Sequence, residues 1–233
     1  MKKKKINRTK EEIVKVAIKL FFAKGFSNTS AREISEALDI SPGNLTFHFH
    51  TKEDLLAVIV DFMCGYQWEL MKTATKEGKT ALMAYALELL SMAAACEESE
   101  IARDLYLSSY THAKPLEIIR KNDKEKAKII FEEYTSGWTE EQFKEAETLI
   151  SGIEYATLMT TQSSSSLEVR IPGALDAIML IFGVPENVRK AKIEKVTAMN
   201  SREIGNRILQ EFMDHLENLS KEEIDDVLRK YSE

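Results

Sequence analysis

The segment Ser41-Pro42-Gly43-Asn44-Leu45-Thr46-Phe47-His48-Phe49 gathers side chains suited to reading a grooved polar surface rather than to breaking bonds. On a helix turning 100° per residue, Leu45 and Phe49 share one face, while Gly43 and Phe47 lie nearly opposite. Asn44 and Thr46 sit on the flanks. Asn44 has the groups to hydrogen-bond a base edge, and Phe47 the surface to press on a thymine methyl or a sugar. Gly43 costs a helix roughly 1 kcal/mol against alanine. Close approach of a second surface would justify that cost. The competing reading packs Phe47 on the next helix and leaves Gly43 merely permissive; residue types alone weigh the two evenly.

Candidate phosphate contacts lie around this segment. Thr29 and Ser30 stand where a short helix should begin, with free N–H groups and a dipole that attract an anion. Lys52 opens a later helix, where the dipole disfavours a cation, so an intervening phosphate would explain it. The run Lys2–Lys5 with Arg8 suits a basic arm along a backbone or minor groove, or a solubilising tail.

Nothing comparable supports catalysis or a resident cofactor. The histidines are His48, His50, His112 and His215. A spacing of two does not put His48 and His50 on one helical face for a metal. No HExxH, GxSxG, P-loop or dinucleotide fingerprint occurs. The expectation is no enzyme, no catalytic residue, no metal and no cofactor.

The elements that must position these residues are legible from punctuation. Thr9-Lys10-Glu11-Glu12 and Ser30-Ala31-Arg32-Glu33 fit the capping box. Gly25 is a helix stop, and Ser41-Pro42 an N-cap followed by a first helical position. Thr51-Lys52-Glu53-Asp54 opens a fourth helix. Three helices of about 16, 8 and 8 residues are too short to stand alone, so they should pack through Phe21, Phe22, Phe26, Ile34, Leu38, Leu45 and Phe49. Two short helices around a tight turn outline a helix-turn-helix.

Beyond residue 51 the periodicity predicts helices over 52–75, 79–97, 99–112, 115–135, 139–163, 168–183, 185–199, 201–218 and 221–231, with breaks at Gly78, Lys114-Pro115, Gly137, Ser163–Ser166 and Val184-Pro185. The fold class expected is all-α. The domains expected are a head over 1–55 and a helical body over 56–233. Nine glycines and four prolines in 233 residues argue against a many-stranded β fold.

Charge divides along the same line. Residues 1–52 hold eleven Lys/Arg against five Asp/Glu, a net of +6, inside a chain of net −6. The remainder therefore carries −12. A basic head on an acidic body limits polyanion contact to the head. Cys64 and Cys96 form no CxxC or disulfide framework, which suits a reducing compartment. No 18-residue apolar stretch suggests a membrane span, and the lysine-rich start lacks a signal peptide's apolar core.

With these residues in place, the head resembles the TetR (tetracycline-repressor) family. Ala17, Leu20, Phe21, Gly25, Phe26, Thr29, Ser30, Ile34, Leu38, Ile40, Ser41, Gly43, Leu45, His48, Phe49, Lys52, Glu53 and Leu55 carry the likeness over about fifty residues. Thr46 stands where the family usually has a Tyr that touches a phosphate or base, and Asp39 where its turn usually has Gly. Asp tolerates the left-handed conformation, so the turn can survive.

The resemblance implies a cytoplasmic, ligand-responsive regulator, most often a repressor, that binds a near-palindromic DNA operator as a homodimer and takes a small effector in its helical body. The DNA-contacting set becomes Thr29, Ser30, Ser41, Gly43, Asn44, Thr46, Phe47, His48 and Lys52. The alternative is a small-molecule or protein-binding module whose head has weakened, as Thr46 and Asp39 suggest. Two stripes are candidates for the dimer face: Phe143, Ala146, Ile150, Ile153 and Thr157, and Leu175, Ile178, Met179 and Phe182. Either stripe could instead fill the subunit's own core. Small Gly152 and Ala156 would admit a close neighbour. Effector-lining residues stay unassigned among Met63, Tyr66, Trp68, Tyr85, Met92, Tyr106, Tyr110, Phe131, Tyr134, Trp138, Tyr155 and Met159.

Overall fold

The computed structural model describes residues 2–76 and 79–231, with side chains from residue 10 onward except 74–76 and 201. Among them are twelve helices and no strand. The head comprises α1 (Lys2–Lys24), α2 (Ala31–Ala37) and α3 (Pro42–His48). After a three-residue turn comes α4 (Lys52–Lys76), which runs through residue 55, so the boundary expected there falls inside a helix. The body adds α5 (Ala81–Glu98), α6 (Glu100–Thr111), α7 (Ala113–Ile130), α8 (Glu140–Leu158), α9 (Leu167–Ile181), α10 (Glu186–Thr197), α11 (Ser201–Glu217) and α12 (Lys221–Arg229).

Most of the expected punctuation is present as hydrogen bonds. Ser30 and Glu33 form a reciprocal capping box. The Ser41 hydroxyl accepts from the Asn44 N–H at 3.1 Å, with Pro42 next. Thr51 and Asp54 form the same reciprocal pair at the start of α4, at 3.2 and 2.8 Å. Asp39 adopts φ 52°. Its N–H donates to Glu36 and that of Ile40 to Ser35, which closes α2 with a left-handed cap. The TetR-like turn therefore survives Asp in place of Gly.

Three boundaries differ from expectation. α1 begins at Lys2 rather than after Thr9, because the preceding lysines are good helix formers and Thr9 is simply passed through. The side chains of Lys2–Lys5, Arg8 and Thr9 lie outside the described residues. α7 ends at Ile130, where the Phe131 ring turns in to stack on Phe182 at 3.8 Å. α8 ends at Leu158, because Thr161 and Ser164 bond to each other and divert the backbone from the helix. Gly78 lies outside the described residues.

The three-helix core forms as expected: Phe21, Phe26, Ile34, Leu45 and Phe49 are buried, with Phe22 and Leu38 half-buried against them. The Phe22 ring meets Phe212 of α11 edge-on at 6.2 Å, so the head leans on the far end of the body. α11 itself lies close on α5. A Cβ on Gly205 would stand 2.8 Å from that of Ala94 and 3.0 Å from the Ser91 carbonyl oxygen.

The two stripes considered for a dimer face fill the subunit's own core. Phe143, Ala146, Ile150, Thr157, Leu175, Ile178, Met179 and Phe182 are all buried. The opposite faces of α8 and α9 carry exposed apolar residues instead: Leu149, Val169 and Leu180, with exposed Gly152, Ala156 and Gly173 between them. No described helix is long and apolar enough to cross a membrane.

Candidate functional site

α3 is held by its apolar face and presents the other. Leu45 is 3% exposed, while Gly43, Asn44, Thr46 and Phe47 are exposed. Phe47 stands 72% exposed, which removes the reading that packs it on α4. A Cβ on Gly43 would touch nothing closer than the Ser41 hydroxyl at 4.0 Å, so no intramolecular packing demands glycine there. The Thr46 hydroxyl donates back to the Pro42 carbonyl at 2.9 Å. The His48 ring lies edge-on to Phe47 at 5.2 Å. Its Nδ1 is buried without a partner among the described residues, and burial, then Lys10, depresses its pKa. A neutral His48 braces Phe47 from behind.

The expected phosphate contacts are rearranged. The Thr29 hydroxyl is buried and donates to the Gly25 carbonyl at 2.7 Å, and its N–H is taken by Phe26. Thr29 closes the α1–α2 turn and turns its hydroxyl away from solvent. Ser30 is exposed, yet its side chain and N–H are engaged by Glu33. That carboxyl is pulled down to about 2 by Lys24, then by Ser30.

Lys52 is the larger departure. Its ammonium donates to the Phe26 carbonyl at 2.7 Å and sits 4.0 Å over the Phe26 ring centroid. Desolvation lowers its pKa. The cation at the α4 N-terminus is therefore explained by this intramolecular pair rather than by a phosphate. Sequence reasoning missed it because Phe26 is 26 residues away.

The body grips the head at that loop. Asp104 of α6 accepts from the Ser27 N–H at 2.8 Å and from the Ser27 hydroxyl. His112 packs edge-on against Phe26 at 5.3 Å, and Lys114 pairs with Asp54.

Residues 13–59 match the family model described as bacterial regulatory proteins, tetR family. That match covers the head alone. The chain is 36% identical over 72 residues to the uncharacterized HTH-type transcriptional regulator YerO of Bacillus subtilis (strain 168), across 31% of this chain and 25% of that protein. It is 32% identical over 83 residues to the probable HTH-type transcriptional regulator YttP of the same organism, across 35% and 40%. The chain thus spans well under half the length of these relatives. A solved gamma-butyrolactone receptor (ArpA-like protein) covers 89% of this chain and 98% of its own at 18% identity, with a TM-score of 0.45.

Behind this head, α4, α5, α6 and α11 line a cavity of about 560 Å³. Of the aromatic and methionine residues considered from sequence, Met63, Tyr66, Met92 and Tyr106 line it. Tyr85 and Phe131 line a smaller hollow near α7 and α8. The α11 wall of Ile204, Gly205, Ile208 and Phe212 was missed, although its spacing is helical and apolar.

A buried polar network adjoins the cavity. Glu88 binds Lys126 through both oxygens at 2.7 Å, and Asp123 lies 3.9 Å from the same ammonium. Tyr85 and Tyr110 donate to the two oxygens of Glu154 at 2.9 and 2.8 Å. Burial raises the pKa of Asp123 and of Glu154. Glu147 is pushed up to about 7 by burial, against the pull of Arg120. Burial alone would lower Lys126, but Glu88 and Asp123 more than offset it, so it stays charged.

Proposed function

We propose that the protein is a cytoplasmic DNA-binding transcriptional regulator, a ligand-responsive repressor and not an enzyme, working as a homodimer on a near-palindromic operator. The observation that carries this is the exposed Gly43–Phe47 face on a helix-turn-helix that matches a regulator family. Asn44, Thr46 and Phe47 would read the major groove, with Gly43 admitting close approach, while Ser30 and Ser41 face the backbone. The head through residue 55 and the body from 56 act as units despite the shared α4.

The exposed residues of α8 and α9 support the dimer. Leu149, Val169 and Leu180 are 54%, 64% and 57% exposed on neighbouring helices, with glycines between them. Covering that face with the same face of a second copy gives a two-fold bundle. Two α3 helices would then meet half-sites spaced by roughly 34–36 Å or a multiple. An effector in the 560 Å³ cavity would act by favouring one head separation over another.

The test is footprinting of the purified protein on DNA flanking its own gene at moderate salt. Protection of an inverted repeat is expected. Binding with no sequence preference would overturn the reading and favour a body that binds ligand or protein behind a weakened head.

A further inference from the structure

The 560 Å³ cavity has an apolar wall and one enclosed charge. Four methionines (Met63, Met71, Met92 and Met199) give it an adaptable lining. Tyr66, Tyr106 and Phe212 add aromatic rings able to bind a cation on their faces. At the mouth Arg207 and Glu211, both more than half exposed, answer each other at 3.8 Å, and Lys79 lies at the edge. Inside, the Glu88 side chain retains 17% exposure while its partner Lys126 retains 3%, so it is the carboxylate that faces the cavity.

Two further facts point to a ligand at that end. Tyr106 is 9% exposed and its hydroxyl has no hydrogen-bond partner among the described residues, although it lines the cavity. Gln67, also 9% exposed, has only the Met92 sulfur at 3.9 Å for its amide nitrogen. Behind them, Glu88 and Asp123 share Lys126, the one buried ammonium among the described residues. Two carboxylates on one ammonium leave this end of the cavity acidic. An anion placed there would face Glu88 with no buried cation to spare.

We propose that the cavity takes a lipophilic monocation, a quaternary ammonium or protonated amine flanked by apolar groups, with its charge against Glu88. The inference rests on reading the body as an effector-binding domain. Tyr106 and Gln67 would accept from an N–H donor or orient the apolar flanks, and the aromatic rings would enclose the rest.

The test uses two probes of matched shape and opposite charge, tetraphenylphosphonium and tetraphenylborate, titrated calorimetrically into the full chain. The phosphonium should bind at least roughly tenfold more tightly, as expected for a desolvated charge contact. Glu88→Gln should remove that preference. Because Glu88→Gln strands Lys126, the double variant Glu88→Gln/Lys126→Met, which deletes both charges, should remove it as well. Equal or tighter binding of the borate, no binding of either probe, or a preference untouched in both variants overturns the proposal. Footprinting on the same preparation separates the two readings. Sequence-preferring DNA protection without a phosphonium preference leaves the regulator standing and removes the cavity chemistry; the converse does the reverse.

Discussion

Asp104 of α6 holds Ser27 of the α1–α2 loop by two hydrogen bonds, one from the Ser27 backbone N–H at 2.8 Å and one from its hydroxyl. A residue of the body thereby fixes the loop that carries Gly25 and Phe26. Tyr106, two residues along α6, lines the cavity. Ligand space and head are separated by about half a turn of one helix.

Gly25→Ala should unfold more readily than the parent. Gly25 has φ 92°, and a Cβ would stand 2.8 Å from an Asp104 oxygen. Alanine at positive φ costs about 1 kcal/mol or more. Pairing it with Asp104→Ala removes the clash but also both Ser27 hydrogen bonds, so the double variant should still show a lower urea midpoint than Asp104→Ala alone, because the backbone strain remains.

Lys52→Met tests which partner the ammonium serves. The Phe26 carbonyl predicts a loss of stability with an unchanged slope of log affinity against log salt. A phosphate contact would instead lower that slope by about 1.

Phe47→Ala should cost DNA affinity without costing stability, because the ring is 72% exposed, with His48 edge-on beside it. A weakening of roughly tenfold at the operator is expected, read by fluorescence anisotropy alongside thermal melting.

Glu154→Gln should flatten the pH dependence of stability. The ordinary carboxyl value is 4.5, and burial raises it in the fold. Between those two values the folded chain keeps a proton that the unfolded chain has released. Stability therefore falls as pH rises through that window, opposite to the usual carboxylate. The variant should gain on the order of 1 kcal/mol at pH 8 and little at pH 5, measured by urea titration.

Leu180→Arg should leave the monomer folded and dissociate the proposed dimer. Leu180 is 57% exposed, so the subunit core does not use it. Sedimentation at micromolar concentration reads the change directly.

What was legible in the sequence was local. Capping boxes at Ser30–Glu33 and Thr51–Asp54 close within four residues, and Asp39 needed only its own backbone tolerance. The face of α3 followed from helix geometry alone, since Leu45 settles which side turns inward. The direction of Lys52 and the burial of Thr29 were hidden, because each depends on a carbonyl of a loop that packing must first shape. The stripes of α8 and α9 left dimer face and core undecided for a related reason. A helix in a bundle has two apolar faces, and the stronger one serves the subunit itself. The Thr9 box shows that a cap motif does not end a helix that its neighbours are content to extend.

Gly205 gives the cavity a fulcrum. There α11 rests backbone-close on Ala94 and Ser91, so that side cannot yield to a bulky guest. Seven residues on, roughly 10 Å along the axis, Phe212 leans on Phe22 of the first helix. Any shift of that wall beyond Gly205 is therefore felt at the head, through Phe212 on Phe22.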